Sequence, residues 1–145
     1  MVCTGGNFLK IRYKIGLGFV VLIIAVSVYG NIPQIGNTSN VVVSNYYSYF
    51  SMGEVQRAES LLTPAFRKIL KSKNIVHSNT YFLKLLSVQG PFNIRLDNSY
   101  KQEVQVIANY FVISSLGSGF QTRFIYLGRD GSNDPWRIMS IGTGP

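Results

Sequence analysis

His77 is the one histidine of the 145-residue sequence, and its type suits proton transfer near neutral pH. A histidine that acts as a general base needs a group that orients it, usually a carboxylate. The residues around it, Val76, Ser78 and Asn79, include no carboxylate. We therefore expect His77 to lie in a surface loop and to have no catalytic role.

The acidic residues do not form a pattern that would bind a metal ion. Asp97, Glu103, Asp130 and Asp134 are scattered, and a single histidine does not complete a set of ligands. Asp130 and Asp134 flank Asn133 in a segment that faintly resembles a calcium loop, but the glutamate and the ligand spacing of such a loop are absent. We interpret this segment as a turn, and we expect no metal and no other cofactor.

Two polar residues lie in a predicted strand that runs from residue 103 to residue 115. Glu103 lies at the edge of that strand, and Asn109 lies in its middle. The position of Asn109 suits a hydrogen bond that orients a ligand, although a partly exposed sheet face explains it equally well. Because no acid–base pair accompanies these residues, we expect the protein not to be an enzyme.

The densest run of basic residues comprises Arg67, Lys68, Lys71 and Lys73. After residue 32 the chain has 11 basic residues against 6 acidic ones, a net charge of +5. Such a charge favours anionic surfaces, for example wall polymers, lipid headgroups or nucleic acid. A solvated helix face is the other interpretation of the run. The candidate ligand-binding residues are therefore Asn109, Arg67, Lys68 and Lys71.

Three neighbouring tyrosines, Tyr46, Tyr47 and Tyr49, have rings that could stack on bases or sugars. Helical spacing places Tyr46 with Tyr49 or Phe50 on the core face of a helix, which leaves only Tyr47 as an exposed aromatic side chain. One exposed ring is weak support for a stacking surface, so we do not expect nucleic acid as a partner.

Residues 15–32 form an uncharged apolar stretch that follows three basic residues, Lys10, Arg12 and Lys14. As a helix this stretch would be roughly 27 Å long, which just spans a hydrocarbon core of about 30 Å. We favour a retained transmembrane anchor; the alternative is a secretory signal cleaved after small residues such as Val28 and Gly30. In either case residues 1–14 form a basic cytoplasmic flank, and the rest of the chain lies outside the membrane.

The first part of the exported region predicts a linker and three short helices. Residues 33–40 collect Pro, Gly, Asn, Thr and Ser and read as the linker, with Ser39 or Asn40 as the N-cap of the first helix. That helix ends at Gly53, and the second covers 54–62. Thr63 caps the third helix, in which Pro64 takes the first position.

The remaining part predicts about four antiparallel strands, at 82–89, 103–115, 120–128 and 135–141. Gly90-Pro91 breaks the first strand, and 90–101 is an ambiguous connection. Gly117, Ser118 and Gly119 form a hairpin turn, and 129–133 form another. Both faces of the strand at 103–115 are partly apolar, so we expect it to be central. The row of Ile107, Phe111 and Ile113 on this strand would suit either of two arrangements. The sheet face could pair with a second copy of the chain, or these side chains could pack inside the domain. The fold class is thus α+β, with 41–145 as one domain.

Two segments of the sequence resemble those of a known family. They are LLTP at 61–64 and the ending DGSNDPWRI at 130–138, which runs into SIGTGP at 140–145. Together with the order of the elements, they resemble an uncharacterised family of extracytoplasmic domains of Gram-positive bacteria with a nuclear transport factor two-like, or cystatin-like, cone fold. The resemblance implies a curved sheet around the helices and an open-ended pocket, and it supplies no functional residues. Trp136 would anchor the last strand in the core.

These patterns together predict a membrane-tethered extracytoplasmic domain that binds a ligand and does not catalyse a reaction. Its partners would be the membrane and an anionic envelope polymer or a membrane protein. The alternative is an assembly module of a cell-envelope or conjugation-type complex, and a third possibility is a small lyase or isomerase of the cone fold.

Overall fold

The computed structural model describes residues 32–72, 80–96 and 99–144. The helices in this part of the chain are α1 (Ser39–Ser51), α2 (Val55–Ser60) and α3 (Pro64–Ser72), and the strands are β1 (Thr80–Ile94), β2 (Gln102–Ser114), β3 (Gly117–Arg129) and β4 (Arg137–Gly142). The four strands form one antiparallel sheet in the order β1-β2-β3-β4. The α+β class is confirmed for these residues.

The described residues contain no helix with the length and apolar character needed to cross a membrane. The predicted cytoplasmic flank at 1–14 and the predicted membrane segment at 15–32 lie, apart from Ile32, outside those residues.

Helices α1 and α3 start at a residue whose side chain caps the helix, and one of the two predicted caps is corrected. Thr63 caps α3 as predicted, because its Oγ1 accepts a hydrogen bond from the backbone N–H of Phe66 at 3.2 Å. The N-cap of α1 is Thr38, whose Oγ1 accepts from the N–H of Val41 at 3.3 Å, and the prediction of Ser39 or Asn40 is wrong. The side chain of Asn40 instead donates to the carbonyl oxygen of Gly90 in β1 at 2.8 Å.

The first strand is longer than predicted, because Gly90-Pro91 does not end it. β1 continues to Ile94, and a register shift between Gln89 and Phe92 places the two residues Gly90 and Pro91 opposite one residue of β2. Gly90 has a φ of +113°, and a Cβ atom there would lie 3.0 Å from the carbonyl oxygen of Gln105. Glycine thus lets β1 stay close to β2 at this irregularity.

The central position of β2 is confirmed, since β2 lies between β1 and β3. The hairpin turn that follows β2 was predicted at Gly117–Gly119 and lies instead at Ser115 and Leu116. Gly117 already pairs with Ser114, so the glycines belong to β3. The last strand begins at Arg137, two residues later than predicted.

One face of the sheet forms the core with the helices. Alternate residues of β2, from Val104 through Val106 and Ala108 to Tyr110, are buried in the same cluster as Val43 of α1. Further buried members of the cluster are Tyr46, Tyr47, Leu62, Ile125, Leu127, Trp136 and Ile138. The prediction that Trp136 anchors the core is confirmed by its exposure of 7%.

The prediction of Tyr47 as an exposed aromatic residue is wrong. Only 4% of its surface is exposed, because its ring packs against the ring of Tyr110 in β2 with a centroid distance of 5.0 Å. Helix α1 turns two adjacent tyrosines into the core, and a single helical stripe does not anticipate this arrangement.

The opposite face of the sheet carries Ile107, Phe111 and Ile113, as the alternation of β2 requires. Phe111 contacts Phe82 of β1 at a centroid distance of 6.5 Å and Phe120 of β3 at 5.2 Å. We call these three residues the phenylalanine cluster. Phe120 is 79% exposed, so the cluster forms an apolar surface on the sheet face that lacks the helices.

Candidate ligand-binding pocket

A cavity of about 490 Å³ lies between α1, α3 and the inner face of the sheet. We call it the helix–sheet pocket. Most of its wall is apolar or aromatic, and Arg123 is the one charged residue among the described residues that line it. The side chains from the helices are Tyr46, Tyr47, Phe50, Phe66, Ile69 and Leu70, and those from the sheet include Leu83, Tyr110, Val112 and Ile141.

Helical spacing explains which side chains of α1 and α3 reach the pocket. Tyr46 and Phe50 are four residues apart in α1, and their rings are stacked with a centroid distance of 6.1 Å. Phe66, Ile69 and Leu70 of α3 repeat at spacings of three and four and form the opposite wall.

Three phenol groups lie together in the pocket. The rings of Tyr46 and Tyr47 meet edge to face at 5.4 Å, and Tyr47 lies 5.0 Å from Tyr110. Burial raises the pKa of Tyr46 and of Tyr47 above the ordinary value of a phenol, and the neighbouring Tyr110 raises the pKa of both further. Near neutral pH these side chains therefore keep their protons and can donate hydrogen bonds to a ligand.

Arg123 brings a positive charge to this pocket. It pairs with Ala108 across β2 and β3, so it lies on the inner face of the sheet. Its charge lowers the pKa of Tyr47 and partly opposes the effect of burial. Within the described residues the ion pairs are Arg57 with Glu54 and Lys71 with Glu59, so Arg123 has no carboxylate partner there.

Sequence reasoning missed Arg123, although the alternation of β3 contains the signal. Ile125 and Leu127 are fully buried core residues, and Arg123 occupies the preceding position on the same face. A basic residue in register with an apolar row indicates either the rim of a core or a site that needs a charge.

The basic residues of α3 lie elsewhere. Arg67 donates from Nε to the carbonyl oxygen of Glu59 at 3.0 Å, and Nζ of Lys71 is 3.4 Å from the carboxylate of the same Glu59. Lys68 is exposed. None of these three residues lines the helix–sheet pocket. Lys73, the last residue of the predicted run, lies outside the described residues.

Asn109 lies on the sheet face that carries the phenylalanine cluster. Its Nδ2 donates to Oγ of Ser87 at 3.0 Å, and its Oδ1 accepts from Oγ1 of Thr122 at 2.7 Å. These bonds join three neighbouring strands in one polar row. The structure therefore brings Asn109 neither to the helix–sheet pocket nor to the basic residues of α3, and a ligand-binding role for it stays a prediction.

The acidic residues considered for chemistry have local contacts. Glu103 is 7% exposed, and its carboxylate accepts from the backbone N–H of Leu96 at 2.6 Å and of Tyr100 at 3.3 Å. The N–H of Asp134 donates to the carbonyl oxygen of Gly131 at 3.1 Å, as in a turn. The part of the chain that the structure describes holds no group of three or more His, Cys, Asp or Glu residues placed to bind a metal ion. His77 and Asp97 lie outside that part.

Comparison with protein-family models and with curated proteins finds no match to this chain. Among solved structures, the chain is similar to a SEC-C motif containing protein from Psychrobacter arcticus. The two chains are 14% identical, with a TM-score of 0.49, and the match covers 82% of this chain and 69% of that chain. We transfer no site or activity from this similarity, and the resemblance to the extracytoplasmic cone family stays a prediction.

Proposed function

We propose that the chain is an extracytoplasmic binding domain, which holds an apolar molecule with one anionic group in the helix–sheet pocket and does not catalyse its conversion. The observation that carries this proposal is the place of Arg123, a cation without a carboxylate partner among the described residues, in a wall of aromatic and aliphatic side chains.

The size and lining of the pocket support this class of ligand. Pockets for small molecules are commonly between roughly 300 and 1,000 Å³, mostly apolar, with a few polar groups that fix orientation. The apolar wall would take the body of the ligand, and Arg123 with the phenols of Tyr47 and Tyr110 would face its anionic group. Hydrogen bonds from a charged donor to a charged acceptor are stronger than neutral ones.

Two variants at adjacent positions of β2 test whether the ligand uses this pocket. Val112 lines the pocket, whereas Ile113 lies on the other face and is 41% exposed. We expect Val112→Trp to weaken the saturation-transfer NMR signal of octanoate on the full-length chain, because the indole occupies part of the cavity that the ligand would enter. Ile113→Trp, the control, should keep the signal. Equal signals from both variants would rule out the pocket as the site.

We further propose a membrane-tethered location, supported by the apolar stretch at 15–32 behind Lys10, Arg12 and Lys14. Fractionation of cells that express the chain, with intact mass of the product, tests it. A full-length mass in a membrane fraction resistant to alkali is expected. A product that begins near residue 28 or 31 and lies in the soluble exported fraction would contradict the anchor. It would show that the segment is a cleaved secretory signal.

An assembly module of a cell-envelope complex is the second candidate function, and the phenylalanine cluster favours it. Contiguous apolar groups on a protein surface commonly mark contacts with other proteins. The full-length chain, solubilised in mild detergent, would then co-purify with a membrane partner in fixed stoichiometry, and Phe120→Ser would release that partner. Recovery of the chain alone from its native membrane would count against this candidate.

A further inference from the structure

A second group of cationic side chains lies at one end of the sheet, apart from the helix–sheet pocket. Arg95 directly follows β1, Lys101 directly precedes β2, and Arg129 ends β3. In the register of the sheet, Ile94 pairs with Glu103 and Gln102 pairs with Arg129, so the three cations lie close together at the ends of three adjacent strands. They line a cavity of about 630 Å³, which we call the loop-end pocket.

Arg129 is held in place before any ligand binds. Its Nε donates to Oε1 of Gln102 at 2.6 Å, and its Nη1 donates to the carbonyl oxygen of Ser132 at 2.9 Å. The guanidinium carbon lies 4.5 Å from the centroid of the Trp136 ring. These contacts fix the plane of the guanidinium group, so little side-chain entropy remains to be lost on binding.

The carboxylate of the loop-end pocket already has other partners. Glu103 is the one acidic residue among the described lining residues, and it accepts hydrogen bonds from the backbone N–H groups of Leu96 and Tyr100. Among the described lining residues, three cations and one carboxylate give a net charge of +2. This differs from α3, where the carboxylate of Glu59 forms an ion pair with Lys71.

We propose that the loop-end pocket binds the phosphate group of an anionic ligand. Arg129 supplies a planar donor group in a fixed position, a geometry that suits phosphate oxygens, and Arg95 and Lys101 add charge that neutralises the phosphate. The phosphate belongs either to a free phosphorylated molecule or to a lipid headgroup, and the chemistry of recognition is the same for both. The proposal for the loop-end pocket does not depend on the proposal for the helix–sheet pocket.

The sole tryptophan of the chain reports directly on this site, because Trp136 contacts Arg129. The experiment titrates the full-length chain, in nonionic detergent, with inorganic pyrophosphate and follows the fluorescence of Trp136. A second titration uses glycerophosphoglycerol, the soluble headgroup of a phospholipid, and a third uses glycerol as an uncharged control.

The variant that tests the site is R95Q/K101Q, in which both replaced side chains are exposed. Its matched control is R57Q/K84Q, which removes one arginine and one lysine at positions outside the loop-end pocket. We expect R95Q/K101Q to weaken the binding of at least one phosphate probe about tenfold, and R57Q/K84Q to leave it within about twofold. Added NaCl should weaken binding to the unmodified chain.

The pattern of the titrations identifies the source of the phosphate. Tighter binding of pyrophosphate supports a free phosphorylated ligand, and tighter binding of glycerophosphoglycerol supports a lipid headgroup. The proposal is overturned if neither phosphate probe changes the fluorescence more than glycerol does. It is also overturned if R57Q/K84Q weakens binding as much as R95Q/K101Q, since the effect would then follow net charge alone.

Discussion

The backbone N–H of Thr63 donates a hydrogen bond to the carbonyl oxygen of Ile138 at 2.9 Å, and this contact fastens the junction of α2 and α3 to the last strand. The N–H of Ile138 donates in turn to the carbonyl oxygen of Leu61 at 2.9 Å. Leu62, which lies between Leu61 and Thr63 in the sequence, is fully buried and forms a parallel bridge with Ile138. Helix α3, which forms one wall of the helix–sheet pocket, therefore starts from a point fixed on the sheet.

Thr63→Ala tests how much the start of α3 contributes to stability. The substitution removes the oxygen that accepts from the N–H of Phe66, and that donor lies in a buried region. We expect the free energy of unfolding to fall by about 1 kcal/mol, as for the loss of other N-caps. Urea denaturation measures it, with Ser118→Ala, at an exposed hydroxyl of β3, as the control. Equal effects of the two substitutions would mean that the cap contributes nothing.

The local signals in the sequence account for most of the element boundaries. Thr63 and Pro64 mark the start of α3 because capping depends on residues within one turn. Two features that sequence reasoning missed, the cap of α1 and the passage of β1 through Gly90-Pro91, depend on contacts between distant residues. Asn40 is not a cap because its side chain donates a hydrogen bond to the carbonyl oxygen of Gly90. Strand β1 continues through Gly90-Pro91 because the residues before and after this pair, Gln89 and Phe92, both pair with β2.

The buried phenols predict a loss of stability in alkali. The pKa of Tyr46 and of Tyr47 is higher in the folded chain than the ordinary value of about 10, because burial disfavours the phenolate. The unfolded chain therefore releases these protons first as the pH rises. The stabilisation is complete below about pH 10 and falls above it, by up to about 1.4 kcal/mol per pH unit for each phenol.

Urea denaturation at pH 8, 9, 10 and 11 tests this dependence, with Y46F/Y47F as the comparison. Phenylalanine has no proton to lose, so the decline above pH 10 should be shallower in the variant, whatever its stability at pH 8. A decline of the same slope in both proteins would assign the alkaline loss to other groups.

Glu103→Gln tests the role of the buried carboxylate near Leu96 and Tyr100. The amide cannot accept from both backbone N–H groups, so we expect the free energy of unfolding to fall by about 1 to 3 kcal/mol. Glu54→Gln is the matched control, since Glu54 forms a 2.9 Å ion pair with Arg57, whose side chain is 68% exposed. That control should change stability by less than about 1 kcal/mol. If the Glu103 variant is as stable as the Glu54 variant, the hydrogen bonds of the carboxylate to Leu96 and Tyr100 do not stabilise the fold.

The candidate site was less accessible to sequence reasoning than the fold. Lys68 and Lys71 form a conspicuous basic run, yet α3 directs its apolar stripe to the pocket and its charges away from it. Asn109 was a fair candidate by its place in the middle of a strand. A strand has two faces, and the burial of its neighbours Ala108 and Tyr110 assigns Asn109 to the face opposite α1 and α3. Arg123 shares its face of β3 with Ile125 and Leu127, and sequence reasoning missed this signal because it did not follow the alternation of that strand.

The most direct test of the proposed ligand class compares octanoate with octanamide, which have the same chain length and differ in charge. Isothermal titration calorimetry measures the binding of each to the full-length chain in nonionic detergent, corrected for detergent alone. We expect the unmodified chain to bind octanoate about tenfold more tightly than octanamide, because Arg123 would contact the carboxylate. Arg123→Gln should abolish that preference, and Arg57→Gln should keep it. A preference that survives in Arg123→Gln, or the absence of binding by either compound, would contradict the account.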